Sequence, residues 1–233
     1  MTKYTPTFPK HTWELVKDDV PAFEKDMQEI CDAALAKGAD MARLIGADQV
    51  AVDERVTLKC RVPLCECYGQ CWMDPPFSPT AEETAKIVAK YRYAILTDVT
   101  APIPRDYFDF IQTEDLPLCR FQYTPEAIKW DKEVQQALWF KLHDIVMGLE
   151  RDAHNRGYFF SAGYVASTCY LCYDANDPVG YCDTSKPCRR PYEARYSMEA
   201  AGMDVFSTYH NVGLALKMAN SEYMTWSGLV LVV

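Results

Sequence analysis

The chain has 233 residues, of which 49% are hydrophobic in type; it is long enough to bury a core, and the composition argues for a packed globule rather than a disordered segment. It carries 24 Lys and Arg against 33 Asp and Glu, a net charge of −9, whereas a surface that tracks phosphates needs the opposite sign, so nucleic-acid binding is disfavoured. No stretch approaches the ~20 apolar residues of a membrane span, and the opening MTKYTPTFPKHTWELVKDD holds no apolar segment of secretory type, so a cytoplasmic protein is expected.

The first predicted element is a helix. Phe23, Met27, Ile30 and Ala34 step by four, three and four, with Asp19 as the cap and Gly38 as the stop. In VAVDERVTLK (50–59), Val50, Val52, Val56 and Leu58 share one parity, which predicts a strand running into Cys60. After a cysteine-rich loop, Thr80 and Glu83 form a capping box. Ile87, Val88 and Tyr91 then supply the apolar stripe of a short helix, and YAILTDV (93–99) reads as a strand that TAPIP ends.

A long helix is expected from Thr124-Pro125, with Trp130, Val134, Leu138, Leu142, Ile145, Leu149 and Ala153 as its buried stripe, packed across one face of a sheet. GYFFSAGYVAST (157–168) reads as a strand running into Cys169. Ser197 is the candidate cap of a helical stretch broken near Gly202 or Gly213, and WSGLVLVV reads as a last strand, either central in the sheet or an edge that pairs with another copy. The order strand, cysteine loop, helix, strand thus occurs twice. The fold class is α+β: a ferredoxin-like sheet from two such units, with the long helix between them and a helix in front. The expected division is an N-terminal helical segment (1–48) and an α+β domain (49–233) with cysteine loops at 60–76 and 169–191.

Ten cysteines, about 4% of the chain, fall below the ~8–10% of disulfide scaffolds. Clustered cysteines in a reducing compartment point to metal or redox chemistry. Cys169 and Cys172 form a C-x2-C pair; Cys182 and Cys188 follow, on a loop that Asn176, Asp177, Pro178 and Gly180 allow to fold back. Soft thiolates suit iron–sulfur clusters and zinc. One short pair, two spread cysteines, no histidine and a crowd of Tyr164, Tyr170, Tyr173 and Tyr181 favour a [4Fe–4S]-type cluster over zinc.

The first group is Cys60, Cys65, Cys67 and Cys71. Cys65 and Cys67 point apart if extended, so one of them joins Cys60 unless Tyr68-Gly69 turns the chain sharply. Asp74, before Pro75-Pro76, is a candidate oxygen ligand. The competing reading is a set of reduced structural thiols. Arg61, Tyr68 and Trp72 are candidate walls of a substrate pocket. Arg189, Arg190 and Arg195 either offset the charge of a thiolate-bound cluster or bind an anionic substrate, unless Glu193 and Glu199 pair with them. His143 and His154 read as satisfied or surface side chains. The P-loop, nucleophile-elbow and dinucleotide fingerprints are absent from the sequence.

Cys60, Pro63, Cys65, Tyr68 and Gly69 spell C-x-x-P-x-C-x-x-Y-G, followed by Pro75-Pro76 and a capped helix. Cys169, Leu171 and Cys172 spell C-x-L-C; Cys188, Arg189, Pro191, Arg195, Ser197, Met198, Glu199 and Ala200 spell C-R-x-P-x-x-x-R-x-S-M-E-A. From about residue 50 to 215 this resembles the predicted metal-binding proteins catalogued as domain of unknown function 2284. The resemblance implies an iron–sulfur protein, mostly of anaerobic bacteria and archaea, with no reaction attached. Family members usually carry Cys where this chain has Asp74, and Cys71, three positions earlier, offers a replacement thiol. Members also have a third cysteine close behind C-x-L-C. Here Asp174 and Ala175 stand there, and Cys182 is the nearest candidate.

The expected function is an iron–sulfur protein with one or two clusters that transfers electrons to a redox partner. The alternatives are a cluster-dependent enzyme with an open iron near Asp74 acting on a small-molecule substrate, and a zinc-stabilised binding module. A homodimer through the last strand is compatible with all three.

Overall fold

A computed structural model describes residues 20–62, 65, 67–102, 111–113, 121–123, 129, 131–172, 182–216 and 223–233. The first helix, α1 (Val20–Ala36), buries Phe23, Met27, Ile30, Cys31 and Ala34, as the spacing predicts. Asp19, Thr124-Pro125 and Trp130 lie outside the described residues. A strand follows that the sequence expectation missed, β1 (Met41–Gly46), in the stretch assigned to the N-terminal helical segment.

The predicted strand at 50–59 is instead a short helix, α2 (Glu54–Leu58). Asp53 caps it, accepting from the Arg55 backbone N–H at 2.8 Å. A satisfied helix start outweighs the weak strand preference of scattered valines. Val52 keeps only an isolated bridge to Met203. The helix α3 (Ala81–Val88) begins at the expected Thr80–Glu83 capping box, and β2 (Tyr93–Pro102) extends the expected strand. The short strands β3 (Ile111–Thr113) and β4 (Phe121–Tyr123) pair with each other.

The long helix is α4 (Gln136–Asn155), entered through a π-helical segment at Asp131–Gln135. Leu138, Leu142, Ile145, Leu149 and Ala153 are buried, as expected, and so are Trp139 and Val146. Of the strand predicted at 157–168, only β5 (Ala162–Tyr164) forms. Tyr158 is drawn out of it, donating its hydroxyl to Asp26 on α1 at 2.9 Å. Ser197 caps a single turn, accepting from the Ala200 N–H at 2.9 Å; the helix α5 (Val205–Asn211) starts afresh at Asp204, beyond the expected break at Gly202.

The last strand, β6 (Tyr223–Leu231), lies inside the sheet, whose order is β1-β2-β6-β5 with every neighbouring pair antiparallel. β1 and β2 are therefore adjacent, as are β5 and β6, and the strand expected at 50–59 contributes to neither pair. A split β-α-β unit places another strand between its two, so this order does not reproduce the ferredoxin-like arrangement. Alternation then sorts the core. Ile95, Val99 and Val230 face α1 and α4 on one side. Ala94, Leu96, Leu229 and Leu231 face Met198, Met203, Val205 and Tyr209 on the other. Tyr164 joins this second core, away from the crowd of tyrosines expected at the cysteine loop. Among the described residues no helix is long and apolar enough to cross a membrane.

Candidate metal centre

The two cysteine loops meet. In the first, the Cys65 N–H bonds the Cys60 carbonyl at 3.0 Å and the Tyr68 N–H bonds the Cys65 carbonyl at 3.0 Å. Gly69 then takes a left-handed φ of 73° that a side chain would resist, and its N–H closes on the Pro75 carbonyl at 2.8 Å. Tyr68-Gly69 thus makes the sharp turn expected of it. The turn sends Cys71 inward, to 6% exposure, while Cys65 stays exposed and Cys60 and Cys67 are half-buried.

The second loop is pinned at its base. The Val165 N–H bonds the Tyr196 carbonyl at 2.9 Å and the Met198 N–H bonds the Val165 carbonyl at 2.8 Å. Two bonds cross between the loops: the Trp72 indole N–H donates to the Lys186 carbonyl at 2.8 Å, and the Thr184 hydroxyl to the Gly69 carbonyl at 3.4 Å.

Cys71 sits at the crossing. Its thiol lies within electrostatic reach of Cys169 and of Cys182 of the other loop, and of the Asp74 carboxylate of its own. Cys182 is in turn within electrostatic reach of Cys172. Asp74 is 7% exposed and also accepts the Thr168 hydroxyl. Cys60 feels both Cys65 and Asp74. These electrostatic neighbours form a belt, Cys65–Cys60–Asp74–Cys71–Cys169/Cys182–Cys172, drawn from both loops. Cys188, grouped with the second loop in sequence, accepts the Arg190 N–H on its sulfur at 3.4 Å, as Cys71 accepts the Met73 N–H at 3.4 Å.

The belt favours neutral groups as it stands. The Cys169 partner and then burial push the Cys71 thiol up; burial does the same to Cys182, and burial followed by the Cys65 and Asp74 charges to Cys60. Burial also raises Asp74, against the lowering effect of Thr168 and Cys71. Nine described cysteines are free, and no Lys or Arg among the described residues pairs with Asp74. Soft donors around a buried carboxylate without a countercharge fit a thiophilic metal group, whose positive charge would reverse every one of these shifts. Among the described residues, no three His, Cys, Asp or Glu side chains are arranged to hold a single ion.

The arginines divide. Arg61 lines a cleft beside α2. Arg190 pairs with Glu193 at 3.4 Å. Arg195 makes a two-pronged pair with Glu150 on α4, at 2.8 Å from each nitrogen used, a packing role the sequence expectation did not assign. Arg189 is exposed. Trp72 lies on Phe77, ring centres 4.6 Å apart, and Tyr68 is half-buried in the turn; neither is among the walls of that cleft. His143 is satisfied, its ring nitrogen 2.9 Å from the Glu193 carbonyl. Thr168 escaped the sequence reading; its position next to Cys169 was the available signal.

A family model described as "Predicted metal-binding protein (DUF2284)" matches residues 43–232. The chain belongs to this family. The matched span contains both cysteine loops and the whole belt of DUF2284 thiols described above. No curated protein and no solved structure matches the chain.

Proposed function

We propose that this DUF2284 protein binds an iron–sulfur cluster of [4Fe–4S] type between its two loops, held by Cys71, Cys169, Cys172 and Cys182, and passes single electrons to a redox partner. The observation that carries this reading is the nearness of Cys71, from the first loop, to Cys169 and Cys182 of the second, each within electrostatic reach. Four thiolates cap four irons and leave no open coordination position, which suits electron transfer rather than substrate activation. Cys60 and Cys65, with Asp74 between them and Cys71, are the donors for a second site. The free state of the nine described cysteines supports a reducing, cytoplasmic setting.

Asp74 favours a second reading. A carboxylate in contact with Cys71 is a weaker, exchangeable ligand for iron than a thiolate, and an iron it leaves open acts as a Lewis acid. Anaerobic purification, followed by iron and sulfide counts and an absorption spectrum, tests both readings. About four irons and four sulfides per cluster are expected. A colourless protein that holds zinc overturns both in favour of a zinc-stabilised module.

A further inference from the structure

Next to the belt, a cleft of about 440 Å³ opens between α2, the Pro75–Pro79 stretch, the start of α3 and Ala200. That volume falls within the range of small-molecule sites. Its walls are well braced: the buried Ser78 hydroxyl donates to the Ala200 carbonyl at 2.7 Å, and the Asp53 N–H bonds the Gly202 carbonyl at 2.9 Å. Leu58, Pro75, Pro76 and Pro79 give it apolar surface.

Its charges are mostly spoken for. The Asp53 carboxylate grips Arg55, and Lys86 pairs with Glu82 at 2.7 Å. Arg61 alone among the lining cations has no ion-pair partner among the described residues. Glu54 also lines the cleft, and its negative charge disfavours a second anionic group on a ligand. One available guanidinium, one opposing carboxylate and an apolar wall select a singly charged anion with an apolar body. The cleft also adjoins the thiol belt: Arg61 follows Cys60, and Pro75 follows Asp74.

We propose that this cleft binds a small organic monocarboxylate, its carboxylate on the Arg61 guanidinium and its body against Leu58 and the Pro75-Pro76 pair. The proposal deepens the second reading above, in which an iron left open near Asp74 acts on a substrate; it rests on that reading for the ligand's role and not for its binding. Charge-assisted hydrogen bonds from a guanidinium are strong and geometrically selective for carboxylates.

The test is calorimetric titration of the anaerobically purified full chain with benzoate and with butyrate, and with benzamide as the neutral counterpart. Saturable binding of the two carboxylates is expected. Arg61→Gln should weaken it by about tenfold or more, Arg61→Lys should restore part of it, and Arg151→Gln, on the remote face of α4, should leave it unchanged. Benzamide should bind at least about tenfold more weakly than benzoate. Equal binding by Arg61→Gln, equal binding of benzamide, or no saturable binding overturns the proposal. Iron counts on the same preparation separate the two claims: carboxylate binding by an iron-free protein keeps the cleft and removes the cluster, and an iron-loaded protein that ignores both carboxylates does the reverse.

Discussion

The thiol of Cys71, in the first loop, is within electrostatic reach of the thiol of Cys169, in the second. Sequence spacing alone assigns each loop its own site; this nearness supports a centre shared by both. Cys71→Ser should therefore empty a centre that the second loop was expected to hold unaided. Bound iron should fall to a small fraction of the wild-type level, as it should for Cys169→Ser, because a lost thiolate removes both charge and a soft donor. Cys188→Ser should retain iron, since Cys188 is not one of the four thiolates proposed to hold the cluster. Iron and sulfide counts on the three variants check this, and a Cys188→Ser protein as empty as Cys71→Ser would return the centre to the second loop.

Thr168 holds Asp74 from the far side, hydroxyl to carboxylate. Thr168→Val removes that donor without changing shape much, and a buried carboxylate loses the hydroxyl that donates to it. Partners of this kind typically carry roughly 10–100-fold in metal affinity. The loss should appear as faster iron release to a chelator, while the fold weakens by only about 1–3 kcal/mol in urea. Thr168→Ser, which keeps the hydroxyl, should release iron at close to the wild-type rate.

What the sequence made legible was whatever had a local cause. The stripe at Phe23, Met27 and Ile30 repeats at helical spacing, the Thr80–Glu83 box closes within one turn, and Tyr68-Gly69 needs only a left-handed glycine. The strand at 50–59 failed because Asp53 offers its side chain to the Arg55 N–H, a bond that valine parity does not register. The aromatic run at 157–168 failed because Tyr158 is claimed by Asp26 on α1, a partner remote in sequence. The cysteine grouping was legible as chemistry and not as geometry. Spacing does not show that Cys71 turns toward the other loop; the turn at Gly69 and the cross-loop bonds of Trp72 and Thr184 bring the two loops together.

Gly202 joins the two halves behind this arrangement. Its φ is 79°, its carbonyl accepts the Asp53 N–H, and a Cβ there would stand 2.7 Å from the Ala81 Cβ and 3.0 Å from its Cα. Gly213 has a similar φ of 71° with open space around it. Gly213→Ala should cost about 1–2 kcal/mol, the left-handed strain alone. Gly202→Ala adds a backbone clash that typically costs a further ~1–3 kcal/mol. Urea midpoints should rank wild type, Gly213→Ala and Gly202→Ala in falling order. Equal midpoints for the two alanines would remove the close packing of α3 on the 198–202 turn as a source of stability.

The face of the sheet that packs against α5 carries a pH limit. Tyr209 on α5 donates its hydroxyl to the buried Asp98 carboxylate at 2.8 Å and accepts from the Ser227 hydroxyl at 2.9 Å. Burial, followed by the Asp98 charge, pushes the phenol well above its usual range; burial alone carries most of the rise of Tyr164, to about 12. In the unfolded chain both titrate near pH 10. A folded value above the unfolded one means that the stability is fully present below pH ~10 and is lost as the pH climbs from there through the folded values. The urea midpoint should hold steady from about pH 8 to about pH 9.5 and fall steeply by about pH 11. Tyr209→Phe should lower the midpoint at neutral pH, by about 1–3 kcal/mol for an Asp98 left short of a donor, and should flatten the alkaline fall. A Tyr209→Phe slope as steep as wild type would assign the alkaline loss to Tyr158 and Tyr164 and leave Tyr209 a packing residue alone.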